Sequence, residues 1–150
     1  FSPKEGVVTK LIRRRSASKM VLIEDVIKLS YRFKDEPGKT ELVDKIANEL
    51  GISNGRVEAA IRTLIGKDLM SRTNGSYILT DDGVKYALRL VRTHRLWETY
   101  VTRENVLDLE HIHPEAEKVE HVLTEDMVDE LDEELGFPEK DPHGSEIPRK

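Results

Sequence analysis

Apolar residues recur at helical spacing from Lys19 onward, with Ile23, Val26, Ile27 and Tyr31 three or four positions apart. Glu36-Pro37-Gly38 ends this first predicted helix, because the residue before a proline avoids the helical region. A second helix is predicted over 40–50, with Leu42, Ile46, Ala47 and Leu50 on its inner face and Gly51 as its stop. Ser53 can cap a third, in which Val57, Ala60, Ile61, Leu64 and Ile65 form the buried stripe. The period then changes. Two short β-prone runs, 69–73 and 76–80, flank Asn74-Gly75, the pair that a type I′ hairpin turn favours because both central residues need positive φ. Thr80, Asp81 and Asp82 open a long helix to about Tyr100. Pro114 starts a helix to about Leu123, Thr124 caps another to Leu135, and Gly136 closes it. The tail from Phe137 is rich in Pro, Gly and charge and reads as irregular.

Helix, helix, tight turn, helix, hairpin is the order of a winged helix-turn-helix. The predicted fold class is mainly α with a small β wing. A basic lead-in or linker occupies 1–18, a winged helix-turn-helix 19–83, and a helical domain 84–150.

Composition narrows the chemistry. Hydrophobic residues make up 37% of the 150 and charged residues 35%, yet the apolar ones fall in periodic runs, which argues against wholesale disorder. Cysteine is absent, so disulfides, thiolate catalysis and Cys-based zinc or iron–sulfur sites are excluded; this fits a cytoplasmic setting. No apolar run in the sequence is long enough to span a bilayer. The net charge of −5 hides a gradient. Residues 1–20 hold six bases against one acid, 21–103 hold 14 against 12, and 104–150 hold four against 16. A basic start and an acidic end point to separate parts with separate partners.

In a winged helix the helix after the turn enters the major groove, and its first residues meet base edges. Those positions here are Ser53, Asn54, Gly55, Arg56, Glu58 and Ala59. Arg56 suits guanine or phosphate, and Asn54 suits adenine or the backbone; Arg62, Lys67 and Arg72 suit phosphates. Glu58 opposes phosphates on the same surface, and the two-charge excess of 21–103 gives little nonspecific attraction. Two readings stay open: a DNA reader, and a packing or dimerisation module.

Glu117, Glu120 and His121 are spaced to share one helix face, and His94 and Glu98 share another. His113 stands at a helix entry and Asp25 on the first helix. These groups offer only oxygen and imidazole donors, a set that suits octahedral Mn²⁺ or Fe²⁺ better than sulfur-loving ions. Spacing alone equally describes a solvated face, with His94 packed beside Trp97; His111 and His143 read as loop histidines. His94, Glu98 and His113 also match the two-His-one-carboxylate pattern of nonhaem iron oxygenases, but no cosubstrate motif accompanies them, and the chain is not read as an enzyme.

The winged helix, His94-Arg95-Leu96-x-Glu98, His113-Pro114-Glu115-Ala116-Glu117-x-x-Glu120-His121 and Pro142-His143-Gly144-x-x-Ile147-Pro148 together resemble the diphtheria toxin repressor and manganese transport regulator family over about 20–150. The resemblance implies a homodimeric metal-dependent regulator in which Mn²⁺ or Fe²⁺ sets the spacing of two recognition helices on DNA. It implies a main site of Asp25, Glu117, Glu120 and His121. His94, Glu98 and His113 match the family's second site, and in the manganese branch His94 joins the main cluster. Glu117 stands where the iron branch often has Cys, which favours manganese. The helices of 114–135 would form the dimer surface, with Val119, Val122, Leu123, Val128, Leu131 and Leu135 as its apolar material.

Two positions depart from the family. Lys28 replaces a second carboxylate three residues after Asp25, and Gly55-Arg56 and Glu58-Ala59 replace small polar residues on the recognition helix. The start departs altogether. Phe1-Ser2-Pro3-Lys4-x-Gly6 and the basic run after it resemble the cytosolic end of metal-transporting ABC permeases, where Lys and Arg cluster after the last span. That resemblance, with the chain starting at Phe1, implies a repressor-like extension of a permease at the cytosolic face of the inner membrane; a free-standing repressor of metal-uptake genes is the alternative.

A cation at Lys28 opposes a second metal ion. Lys28→Glu is therefore expected to raise the Mn²⁺ stoichiometry seen by calorimetry, and an unchanged stoichiometry rejects that role for Lys28.

Overall fold

The computed structural model describes residues 7–36, 41–104, 116 and 119–150, with side chains from Lys19 onward. It divides into two compact units, residues 1–80 and 81–150.

In the first unit three helices meet through the stripes that the sequence pattern picks out. Helix α1 (Val7–Phe33) contributes Val26, Ile27 and Leu29. Helix α2 (Leu42–Leu50) contributes Val43, Ile46 and Ala47, and α3 (Asn54–Gly66) contributes Val57, Ala60, Ile61 and Leu64. All are buried, and α1 packs on both α2 and α3.

The turn between α2 and α3 is tight because Gly51 adopts a left-handed φ of 65°, and its N–H and that of Ile52 both donate to the Ala47 carbonyl. Two residues later the Ser53 hydroxyl accepts from the Arg56 N–H and starts α3. The wing follows as predicted. Strand β1 (Met70–Thr73) pairs antiparallel with β2 (Ser76–Leu79), from Met70 opposite Leu79 to Thr73 opposite Ser76. Asn74 and Gly75 have φ of 51° and 79°, the two positive values a type I′ turn requires. Thr80 closes the base of the hairpin, its N–H donating to the Leu69 carbonyl and its hydroxyl to that of Asp68.

The second unit joins α4 (Asp81–Arg103) to α5 (Glu125–Glu134), the latter capped by the Thr124 hydroxyl. Their shared core is Leu96, Val128, Leu131, Leu135 and Ile147, flanked by Trp97, Tyr100 and Leu123. A second layer of contact is ionic. Buried Arg92 on α4 reaches Asp129 and Asp132 on α5, each at 2.9 Å, and Arg149 from the tail reaches the same Asp132 at 2.7 Å. Burying an arginine is tolerable only when its charge is met in this way.

Three differences from the sequence reading stand out. Helix α1 begins at Val7 rather than near Lys19, since Gly6 and Pro3 lie before it and no breaker follows until Pro37. The tail lacks regular strands but is fixed: Lys140 bridges to Glu146, the Ile147 N–H donates to the Glu139 carbonyl at 2.9 Å, and Ile147 is buried. Val128, Leu131 and Leu135 line this unit's own core, so they are not dimer-surface material as expected; among the described residues of this region Val122, Met127 and Phe137 are the large apolar side chains that are exposed. Of the helix expected to run from Pro114 to about Leu123, Ala116 and Val119 are helical, 120–122 form a turn instead, and Pro114, Glu115, Glu117 and Lys118, with His113, lie outside the described residues.

Leu96 is fully buried at the centre of the second core. Leu96→Ala should lower the unfolding free energy by about 2–5 kcal/mol in urea titration, the usual cost of a cavity at such a site. A loss below about 1 kcal/mol would mean that this core is not formed.

Candidate metal centre

Helical spacing places His94 and Glu98 one turn apart on the same side of α4, and both are buried. The chain returns after the α4 exit and places Glu120, also buried, against the same imidazole. His94 Nδ1 lies 2.7 Å from Glu120 Oε2, and His94 Nε2 lies 2.9 Å from Glu98 Oε1. Each carboxylate has a second oxygen facing another imidazole: Glu120 Oε1 lies 3.4 Å from His121 Nε2, and Glu98 Oε2 lies 3.9 Å from His143 Nε2. Five side chains thus alternate, imidazole and carboxylate, along one line: His121, Glu120, His94, Glu98, His143.

His94 is the pivot. Both its ring nitrogens face carboxylate oxygens, which accept when ionised, so the geometry favours a doubly protonated ring, an imidazolium. Burial alone would push its pKa down, but the hydrogen bonds and charges of Glu120 and Glu98 outweigh it and raise the pKa from 6.5 to about 9. These contacts stabilise the metal-free fold fully below about pH 6.5, and the stabilisation is lost as pH rises through about 9.

The donor set fits a hard divalent cation. It holds nitrogen and carboxylate oxygen and no sulfur, in a buried setting. Taken by themselves, Glu98, Glu120 and protonated His94 sum to one negative charge. A divalent ion with neutral imidazole brings the same three groups to zero, so the ion can replace the proton without leaving a buried charge in excess.

The structure thus brings together four of the seven expected ligands: His94, Glu98, Glu120 and His121. Asp25 lies on α1 in the first unit, half-buried, with half-buried Lys28 one turn further on. His113 and Glu117 lie outside the described residues. His143, read from sequence as a loop histidine, is the member that was missed. Its position follows from the tail: the Asp141 carboxylate accepts from the His143 and Ser145 N–H groups, Gly144 turns the chain at φ 82°, and Ile147 anchors it in the core. A lone isoleucine in a polar tail is the signal that could have revealed this return.

On the winged helix Ser53, Asn54, Arg56 and Arg62 are exposed on or beside α3, and Arg72 is exposed on the wing. Three of the five have local work. Ser53 caps α3, Asn54 Nδ2 donates to Asp44 Oδ1 at 2.6 Å, and the Arg72 guanidinium stacks 5.7 Å from the Tyr77 ring centre. Arg56 and Arg62 are exposed and make no side-chain hydrogen bond or ion pair among the described residues.

Residues 80–149, which hold the alternating line, match a family model described as the iron dependent repressor, metal binding and dimerisation domain. The iron-dependent repressor IdeR of Mycobacterium bovis is 31% identical over 115 residues, 76% of this chain and 50% of that protein. The chain belongs to the diphtheria toxin repressor family. Among solved members of similar fold, the manganese regulator SloR aligns with a TM-score of 0.73 at 32% identity, covering 85% of this chain and 59% of that one. ScaR with bound Zn²⁺ aligns at 0.74 and 32%, covering 85% and 60%. Two further relatives carry a different description, probable metal transport system membrane protein. The one from Chlamydia trachomatis is 40% identical over 87 residues, 58% of this chain and 19% of that protein. The one from Chlamydia pneumoniae is 32% identical over 155 aligned residues, covering all of this chain and 35% of that protein. The chain spans half or less of each of these curated relatives.

Because His94 must give up a proton before it can donate a lone pair, metal binding should compete with protons. The apparent Mn²⁺ affinity is expected to rise about tenfold per pH unit from pH 6.5 and to level off near 9. Calorimetry in two buffers of different ionisation heat would read the released proton; binding with no proton release contradicts the imidazolium.

Proposed function

We propose that this chain is a winged-helix regulatory domain that responds to a divalent cation, Mn²⁺ or Fe²⁺, held by His94, Glu98, Glu120 and His121, and that it acts as a homodimer on DNA. The observation that carries the reading is the buried contact of the His94 ring with the Glu98 and Glu120 carboxylates, within the segment that matches the metal-binding and dimerisation model. When bound, the cation supplies charge and a fixed coordination geometry. This chain's residues do the rest: Glu98 and Glu120 orient the His94 ring by accepting hydrogen bonds from its N–H groups, and burial keeps competing water out. The exposed side chains of Val122, Met127 and Phe137 supply apolar area for a second copy. Arg56 and Arg62 on α3 are the base- and phosphate-directed groups, with Arg72 on the wing. No such role is assigned to Asn54 while Asp44 holds its amide.

A second reading shares the sensor and changes its output. The match of the whole chain to part of a metal transport membrane protein favours a domain carried on the cytosolic side of a permease, where cation binding would adjust transport. Among the described residues no helix is long and apolar enough to cross a membrane, so such a span would have to lie elsewhere in the protein.

Mn²⁺ is expected to raise the melting temperature, and Glu120→Ala or His121→Ala to abolish that rise; a melting curve that ignores Mn²⁺ rules the sensor out. In a gel shift, Mn²⁺ should promote a complex with operator-like duplex whose affinity falls steeply with salt, and Arg56→Ala should weaken it about tenfold or more. Metal binding without any DNA complex leaves the sensor standing and selects the permease-linked output.

A further inference from the structure

Among the described members of the alternating line, His143 differs from its neighbours. The side chains of Glu98 and His94 are 2% and 11% exposed, whereas that of His143 is 50% exposed. Its Nε2 lies 3.9 Å from Glu98 Oε2, too far for a hydrogen bond. A half-exposed ion pair of that length contributes little to stability. Yet the chain holds this ring in place from both sides. Before it, the Asp141 carboxylate accepts from the His143 and Ser145 N–H groups at 2.9 and 2.8 Å, and the Asp141 N–H donates to the Ser145 carbonyl at 2.9 Å. After it, Arg95 donates to the Glu146 carbonyl, the Ile147 N–H donates to that of Glu139, and Ile147 itself is buried. Arg95 follows His94 on α4, so the helix that carries His94 and Glu98 also fixes the loop that carries His143.

We propose that His143 is a further ligand of the divalent cation, supplied by the tail on the solvent side of Glu98. The proposal rests on the reading of His94, Glu98 and Glu120 as cation-holding residues and adds one residue to them. A cation bonded to two donors at about 2 Å holds them no more than about 4 Å apart. The 3.9 Å gap between His143 Nε2 and Glu98 Oε2 therefore admits an ion bonded to both, while it is too wide for the two to bond each other. Imidazole beside carboxylate is the donor pairing that His94 and Glu98 already form, and it suits the same hard divalent ions. The loop around His143 is fixed by its own hydrogen bonds, so little conformational freedom is lost when the ring takes an ion. Because the ring stands between Glu98 and solvent, its loss opens that end of the site, and release of the ion should quicken.

The experiment compares the wild-type chain with His143→Phe, which keeps a ring of similar size and removes the donor nitrogen. Nitrogen-15 spectra of the histidine rings are followed as Cd²⁺ is titrated in, and Mn²⁺ affinity and release are read by calorimetry and a chelator chase. The His143 Nε2 resonance should shift in step with the His94 ring. His143→Phe should weaken Mn²⁺ binding about tenfold or more, at least the loss that follows removal of an indirect partner of a metal, with faster release carrying the change. Its melting temperature without metal should match that of the wild type. A His94 ring that shifts while His143 does not overturns the inference and leaves the site standing. So does a His143→Phe chain that melts earlier without metal yet binds Mn²⁺ with unchanged affinity, which would make the contact with Glu98 a structural ion pair. Rings that ignore Cd²⁺ altogether reject the site, and the inference with it.

Discussion

One contact organises the second unit: the His94 imidazolium held between Glu98 and Glu120. The two carboxylates are almost wholly inaccessible to water and lie 22 positions apart in the chain, one on α4 and one beyond its exit. Without a positive charge between them, their burial would be strongly destabilising, because each would be a buried charge left uncompensated. A proton on His94 meets that need in the metal-free molecule, and a divalent cation meets it in the proposed bound state. The same constraint explains why the tail folds back: Arg149 and Ile147 secure it to Asp132 and the core, which sets His143 beside Glu98.

Ions also frame the packing around this site. Arg92 ties α4 to α5 through Asp129 and Asp132, close to Leu96, Val128 and Leu131, so the apolar core and the salt-bridge layer hold the same two helices. The strongly negative charge of 104–150, which looks from composition like a solvated acidic tail, is partly consumed here. Asp129 and Asp132 serve structure, and Glu120 serves the candidate centre. In the first unit the charges play a smaller part. There the apolar stripes, the Gly51 turn and the Ser53 cap settle the helix-turn-helix by local rules.

What was legible in the sequence divides along the same line. The Asn74-Gly75 turn, the Thr124 cap and the helical period were readable because each rests on residues close in sequence. The i to i+4 pairing of His94 and Glu98 was readable for the same reason. The contact of His94 with Glu120, 26 positions apart, was not, because no local pattern encodes it; the family resemblance supplied the grouping and the fold supplies the distance. The start of α1 was missed because a run of cations masks the apolar period of Val8, Leu11 and Ile12. The core role of Val128, Leu131 and Leu135 was missed because an amphipathic stripe does not say whether its partner is in the same chain or a second copy.

The most direct test of this account is the protonation state of the His94 ring, read by nitrogen-15 NMR on labelled protein near neutral pH, with Cd²⁺ as a diamagnetic probe. The account requires both ring nitrogens to be protonated without metal and one of them to lose its proton and shift as the ion is titrated in. A ring that is already neutral without metal, or that stays doubly protonated at saturating Cd²⁺, would contradict the claim that proton and cation compete for the same pair of carboxylates.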